Sequence, residues 1–381
     1  MPELDLRFQE IRPYFDEEIN EVLQRLTTKP SFYMLMAYLF PEMSGEEVAE
    51  SFKKIFSSRE FQKQYIYRAI KGVQDESTDG FSIEGFEFLD PHRPTLYLSN
   101  HRDIILDSAF LNTFLFEHGF ETTQIAIGNN LMVSPLVTDL MKLNKSFVVH
   151  RDVPRNQLYH YSERLSAYIR TVIRGGESIW LAQKSGRTKD GDDRTHTGLM
   201  KMLNITGTAD IKASFCELNI LPMAVSYEYE PCDYLKVEEL VHTQQGMAYE
   251  KDDKLSMIKG IREYKGRVHI AFSPIINENL DELDSIANRN DWIKALCDLI
   301  DNRIHRTFHL WPNNYVAADL MENGFRFQSG YTPAEKEKFL LYLENRLKNL
   351  KGPQELLRNQ MIKMYAMPVF NREHALSKTP Q

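Results

Sequence analysis

The chain has 381 residues, with 46 basic and 54 acidic side chains, 42% hydrophobic residues and 3 cysteines. This ordinary globular composition excludes a disordered, collagenous or disulfide-stapled chain. A net charge of −8 argues against a general nucleic-acid binder, which carries a basic excess over a whole domain.

Cys216, Cys232 and Cys297 lie far apart, form no CxxC pair and are odd in number, so free thiols of a reducing cytosol are expected. The amino-terminal stretch MPELDLRFQE lacks the basic-then-apolar order of a secretory signal, and export is not expected. The longest uncharged, mostly apolar run, Ser31 to Phe40, is about half of the roughly 20 residues needed to span a bilayer. No transmembrane helix is expected, and any membrane contact would be peripheral.

In chain order, residues 1–80 read as a helical amino-terminal domain. Ser44 and Glu47 form a capping box, in which each side chain covers the other residue's free backbone N–H. A second helix is predicted over Arg59 to Gly72, and the polar run from Gln74 to Gly80 marks a boundary. From Phe81 the texture changes to short β-rich runs. The predicted strands are Phe81 to Phe88, Thr95 to Ser99, Thr123 to Ile127, Ser146 to Val149, Ser178 to Ala182, Ile220 to Ser226 and Arg267 to Phe272. Between them lie helical patterns such as Leu158, Tyr161, Leu165, Tyr168 and Val172.

Strands alternating with helices predict an α/β unit over residues 81–330, with a largely parallel mixed sheet flanked by helices. Ligands of such sheets gather at the loops beyond the strands' carboxyl ends. A helix is predicted over Asp291 to Leu310. Residues 331–381 read as a helical carboxy-terminal extension, opened by a capping box of Thr332 and Glu335 with Pro333 at the first helical position and ending in a helix from Gln354 to Met364.

The segment Leu98-Ser-Asn-His-Arg-Asp-Ile-Ile-Leu-Asp107 follows a strand and opens a helix. A neutral imidazole at His101 can take a proton from a hydroxyl if a carboxylate, Asp107, fixes its tautomer. The competing reading is a surface histidine beside a helix-capping Asp103. Farther on, one strand delivers Arg151 to a loop on the ligand side, and another runs into Gln183-Lys-Ser-Gly-Arg-Thr-Lys, where Lys184, Arg187 and Lys189 suit a phosphate. Pro222 stands near the start of a later strand, where its missing N–H is tolerated.

Taken in order, these four blocks over roughly residues 81–275 resemble the glycerolipid acyltransferase superfamily, the glycerol-3-phosphate and lysophosphatidic acid acyltransferases. His101, Arg102 and Asp107 match the family's first block, Arg151 the second, Arg187 the third and Pro222 the fourth. Two departures stand out. Five residues separate His101 from Asp107 where the family has four, with Leu106 at the family's position, so the pair needs a different turn or uses Asp103. Gln183 replaces a usual glutamate, with one extra residue before Arg187.

The resemblance implies a glycerol-3-phosphate acyltransferase-like fold and transfer of an acyl group from a thioester, on coenzyme A or acyl carrier protein, to a hydroxyl of glycerol 3-phosphate, lysophosphatidic acid or a related polar-lipid acceptor. His101 would be the general base and Asp107 its orienter. Arg102, Arg151, Lys184 and Arg187 would hold the acceptor's phosphate, with an open cleft running from His101 to Arg151 and Arg187. No metal or redox cofactor is implied, and the location expected is cytoplasmic, with room for contact at the inner face of a membrane. An amino-acid lipid acceptor, or a non-catalytic acyl-lipid or acyl-carrier-binding protein of the same fold, are the alternatives.

His101-Arg-Asp103 and His150-Arg-Asp152 echo a kinase catalytic loop, but the chain has no GxGxxG or DFG, no GxSxG elbow and no HExxH pair, which argues against kinase, serine-hydrolase and zinc-hydrolase readings. From Tyr331 to Gln381 there are nine basic and five acidic residues. A basic amphipathic helix there could lie on anionic lipid, although packing on the neighbouring domain is the favoured reading. The same holds for the run Phe32 to Met36.

Overall fold

A computed structural model describes residues 6–378. Seven strands form one sheet in the order β1-β7-β6-β2-β5-β3-β4, where β1 is Gly80–Glu84, β2 Leu96–Ser99, β3 Gln124–Gly128, β4 Ser146–Val149, β5 Ile179–Ala182, β6 Ile220–Tyr227 and β7 Arg267–Phe272. Each coincides with a strand predicted from sequence; the first is shorter than expected because Gly85 adopts a left-handed φ of 79° and turns the chain into a short 3-10 helix, Phe86–Phe88. Every pairing is parallel except β6 with β7. Strands β2 to β6 therefore share one direction, and their carboxyl ends open on a common edge.

Both faces of the sheet are covered, as a parallel sheet requires. Side chains alternate across a strand, so Leu96 and Leu98 of β2 enter one core with Leu181, Ile220 and the helices Leu158–Arg174 and Arg289–Thr307. Tyr97 enters the opposite core with Trp180, Leu221, Met223 and Val225, against Leu106, Phe110 and Phe114 of the helix Leu106–Glu117. That helix is buried almost all round, which explains why it shows no amphipathic stripe in the sequence.

The amino-terminal helices pack on one another through Ile19, Leu23, Phe32, Phe52 and Tyr65, and on the sheet domain through Leu143. The Ser44–Glu47 box forms as predicted. The helix expected to end at Gly72 continues to Ser77, so part of the expected boundary loop is helical. Phe32 and Met36 are buried, whereas Met34 is exposed.

At the other end, Thr332 and Glu335 cap the helix Pro333–Leu347, and the last helix runs well past Met364, over Gln354–Ser377. Leu357, Met361 and Met364 pack into a core with Val237 and Val241 of the helix Asp233–Gln244 and with Val316 and Phe339. The apolar face of the basic terminal helix is thus occupied by protein. Among the described residues no helix is long and apolar enough to cross a membrane, and all three cysteines are free.

Candidate active site

The turn after β2 leads directly into the helix Leu106–Glu117. Its geometry comes from two carboxylates with different tasks. Asp103 Oδ1 accepts the backbone N–H groups of Ile105 and Leu106, both at 2.8 Å, and so satisfies donors at the start of the helix. Asp107, wholly buried, turns back toward the strand. Its Oδ2 accepts from His101 Nδ1 at 2.9 Å and from the N–H groups of Arg102 at 2.7 Å and Asp103 at 3.0 Å. The turn absorbs the extra residue between His101 and Asp107, while Leu106 points into the core.

His101 is 8% exposed, and the edge of its ring meets the Trp180 indole at 5.7 Å between centroids. With Nδ1 committed to Asp107, Nε2 is the nitrogen left for proton transfer. The loop after β5 closes over the turn: Gln183 N–H donates to the Ser99 carbonyl and Thr188 N–H to the His101 carbonyl, each at 2.8 Å. On that loop Gln183 is completely buried and Arg187 9% exposed. Both side-chain amide atoms of Gln183, Nη1 of Arg187 and Oδ2 of Asp103 lack a partner among the described residues. Buried polar atoms are almost always paired, which makes these unpaired atoms on the turn and its covering loop exceptional.

A cleft of about 700 Å³ opens beyond β3, β4 and β5. Arg151, Lys184, His196 and Lys251 line it together with the carboxylates Asp152 and Asp253, the latter paired with Lys251, and Leu165, Leu181, Leu199 and Met202 give it an apolar floor. Arg151 lies against the backbone at Gly128, where a Cβ would come within 2.5 Å of its Nε. Burial disfavours its charge, and Asp253 and Asp152 oppose that effect. Lys184 donates to the Asp192 carbonyl at 3.1 Å, and Lys189 is paired with Glu239. His101, Asp107 and Arg187 are not in the wall of this cleft, which differs from the expected continuous opening. The two regions meet across β2 and β5, where Ser99 pairs in register with Ala182, a residue of the cleft wall.

Arg102 departs from expectation outright. Its side chain is 1% exposed and forms ion pairs with Asp193 and with Glu230 at 3.3 Å. Burial works against its charge, yet the two carboxylates more than offset this and hold its pKa above the ordinary value. A guanidinium so enclosed is a strut of the turn and is not available to an acceptor's phosphate. Lys236, completely buried, donates at 2.6 Å both to the Arg102 carbonyl and to Glu230. Asn100 clamps the turn to β6, accepting from Val225 N–H at 2.8 Å and donating to its carbonyl at 3.0 Å.

Sequence reasoning missed Asn100, Trp180, Asp193, Tyr227, Glu230 and Lys236. Asn100, adjacent to His101, was within reach of such reasoning. The others converge only through the fold.

Residues 80–226 match the family model described as Acyltransferase. This stretch, from β1 to β6, is similar to that family. Dihydroxyacetone phosphate acyltransferase from Homo sapiens is 24% identical over 259 residues, covering 67% of this chain and 34% of that protein. Glycerol-3-phosphate acyltransferase from Xanthomonas axonopodis pv. citri (strain 306) is 32% identical over 101 residues, covering 26% of this chain and 11% of that protein. The chain thus spans about a third or less of the length of these curated relatives. Among solved structures, the 1-acyl-sn-glycerophosphate (LPA) acyltransferase PlsC from Thermotoga maritima aligns with a TM-score of 0.37 and 12% identity, over 75% of this chain and 95% of that one. The family match ends at β6, so the buried partners Tyr227, Glu230 and Lys236 lie outside it.

Proposed function

We propose that this chain transfers a fatty acyl group from a thioester, carried on coenzyme A or acyl carrier protein, to a hydroxyl of a small phosphate-bearing acceptor such as glycerol 3-phosphate or dihydroxyacetone phosphate, or of lysophosphatidic acid. The observation that carries this reading is the buried His101–Asp107 pair within the stretch similar to the acyltransferase family. The names of the relatives, dihydroxyacetone phosphate and glycerol-3-phosphate acyltransferases, favour a phosphorylated three-carbon acceptor over an amino-acid lipid.

In this reading His101 Nε2 removes the proton of the acceptor hydroxyl as its oxygen attacks the thioester carbonyl. The C–O bond forms, the C–S bond breaks on collapse of the tetrahedral intermediate, and the proton passes from the imidazolium to the departing thiolate. Asp107 holds the imidazole tautomer and stabilises the imidazolium; general-base catalysis of this kind is worth about 10²- to 10⁴-fold. Arg151, Lys184 and Arg187 supply the positive charge for the acceptor's phosphate and the donor's anionic carrier. The apolar floor of the cleft takes the acyl chain.

The test is an assay of purified protein with long-chain acyl-coenzyme A and acyl-acyl carrier protein against a panel of hydroxyl acceptors. Wild type should esterify a phosphate-bearing acceptor, and His101→Ala should lose at least about 100-fold in kcat. Undiminished transfer by His101→Ala would remove His101 from the mechanism. Binding of acyl donor with no transfer to any acceptor would favour the non-catalytic alternative.

A further inference from the structure

The two oxygens of Asp107 are held from different parts of the fold. All three donors to Oδ2 come from residues 101–103 of the preceding turn. Oδ1 accepts from the Tyr227 hydroxyl at 2.8 Å, a residue at the carboxyl end of β6. Along β6, Leu221, Met223, Val225 and Tyr227 all face the core packed by the helix Leu106–Glu117, as the two-residue repeat of a strand dictates. The first three are apolar; Tyr227 places a donor on that face beside the start of the helix, where Asp107 sits.

We propose that Tyr227 is a positioning residue for the His101–Asp107 pair: its hydroxyl ties Oδ1 to the sheet, so that Oδ2 stays aimed at the imidazole. The inference rests on the reading of His101 as the base.

The physical argument is rotational. The terminal torsion of an aspartate is soft and roughly two-fold, and donors gathered on one oxygen leave the carboxylate free to rock about that oxygen. A donor on the second oxygen, from a strand hydrogen-bonded on both sides, sets its plane. Burial pushes the Tyr227 phenol well above its ordinary value, with Asp107 and Asp103 adding to the shift, so it remains a donor throughout the working pH range. Charged groups around the pair include Arg102 and Asp103 on the turn, Glu230 just beyond β6, Lys236 on the following helix, which donates to the Arg102 carbonyl, and Asp193, which pairs with Arg102. Arg102 and Glu230 are paired with each other. Phenylalanine would fill the same space in the core, so the hydroxyl is what Asp107 uses.

The experiment compares full-length wild type, Tyr227→Phe, Asp107→Asn and the double variant. Three readouts are taken: kcat and KM, the rate–pH profile, and the rate at which the proton between His101 Nδ1 and Asp107 exchanges with water by proton NMR. Tyr227→Phe should lower kcat roughly 10-fold while KM stays within about twofold. The acid limb of the profile should move to higher pH, because a carboxylate that has lost a donor holds the protonated imidazole more tightly. The Nδ1 proton should exchange faster, and Tyr227→Phe should cost nothing further in the Asp107→Asn background. A general loss of packing would lower the folded fraction without moving the pH limb.

Unchanged kcat, pH limb and exchange rate in folded Tyr227→Phe would overturn the proposal. If wild type transfers no acyl group, the exchange comparison alone decides the role of Tyr227, and the failure belongs to the proposed reaction.

Discussion

Tyr365, on the last helix, accepts the backbone N–H of Glu230 at 2.9 Å and donates its hydroxyl to Asp233 at 2.9 Å. Glu230 in turn holds Arg102 and Lys236 around the turn that carries His101. One buried phenol thus ties the carboxy-terminal helices to the candidate catalytic turn. Tyr365→Phe should leave a buried N–H and a carboxylate oxygen each short of a partner, a loss of about 1–3 kcal/mol. Urea unfolding should show it, and kcat should fall further than KM rises. A stability equal to wild type would mean that the hydroxyl contributes nothing there.

Arg102→Met tests whether this residue is a strut or a phosphate ligand. Removing the guanidinium leaves buried Asp193 without its Arg102 partner and Glu230 with Lys236 alone, and breaking a buried pair in this way costs about 3–5 kcal/mol. The expected outcome is a large drop in thermal midpoint or in soluble yield. A well-folded variant with a selectively raised KM for phosphate-bearing acceptors would restore Arg102 to the binding site.

Gly128→Ala tests Arg151 without altering its charge. The added methyl would stand 2.5 Å from Arg151 Nε and 2.4 Å from Asn130 Oδ1, so both side chains must move. KM for a phosphate-bearing acceptor should rise on the order of 10-fold, with kcat changed much less, as for loss of a binding contact. Steady-state kinetics against a neutral hydroxyl acceptor provides the control, and an equal rise there would show that Arg151 does not read the phosphate.

Acid stability should depend on a histidine far from the turn. Burial pushes His269 down to about 4, with His309 adding to the effect. Its Nδ1 meets Ser82 Oγ at 2.7 Å, and the Glu84 carboxylate, 3.7 Å from Nε2, is largely exposed. The folded value lies below the unfolded value of about 6.5. Between these limits the unfolded chain binds the extra proton. The contribution is therefore complete above about pH 6.5 and is lost as pH falls toward 4, by roughly 3 kcal/mol. Urea midpoints at pH 7 and pH 4.5 should fall more in wild type than in His269→Gln; parallel slopes would sink this assignment.

Local signals were strong where a short stretch carries its own geometry. All seven strands, the two capping boxes and the His101–Asp107 spacing can be read from neighbouring residues, because strand alternation, helix period and cap chemistry act over a few positions. The direction in which a loop side chain points is not of this kind. Arg102 and Arg151 both follow a strand end, yet one turns inward to carboxylates 91 and 128 residues away in sequence, and the other lines an open cleft.

The sequence by itself determined the α/β alternation, the placement of His101 in a strand-to-helix turn and the basic loops beyond the strands, since these follow from local pattern. The tertiary structure alone decided that Asp107 and not Asp103 meets His101, and that Arg102 is a buried strut. It also decided that Tyr227, Glu230 and Tyr365 support the turn from the far end of the chain. The reason is physical: burying charged and polar groups obliges each to find partners, and those partners are chosen by the packing of distant elements.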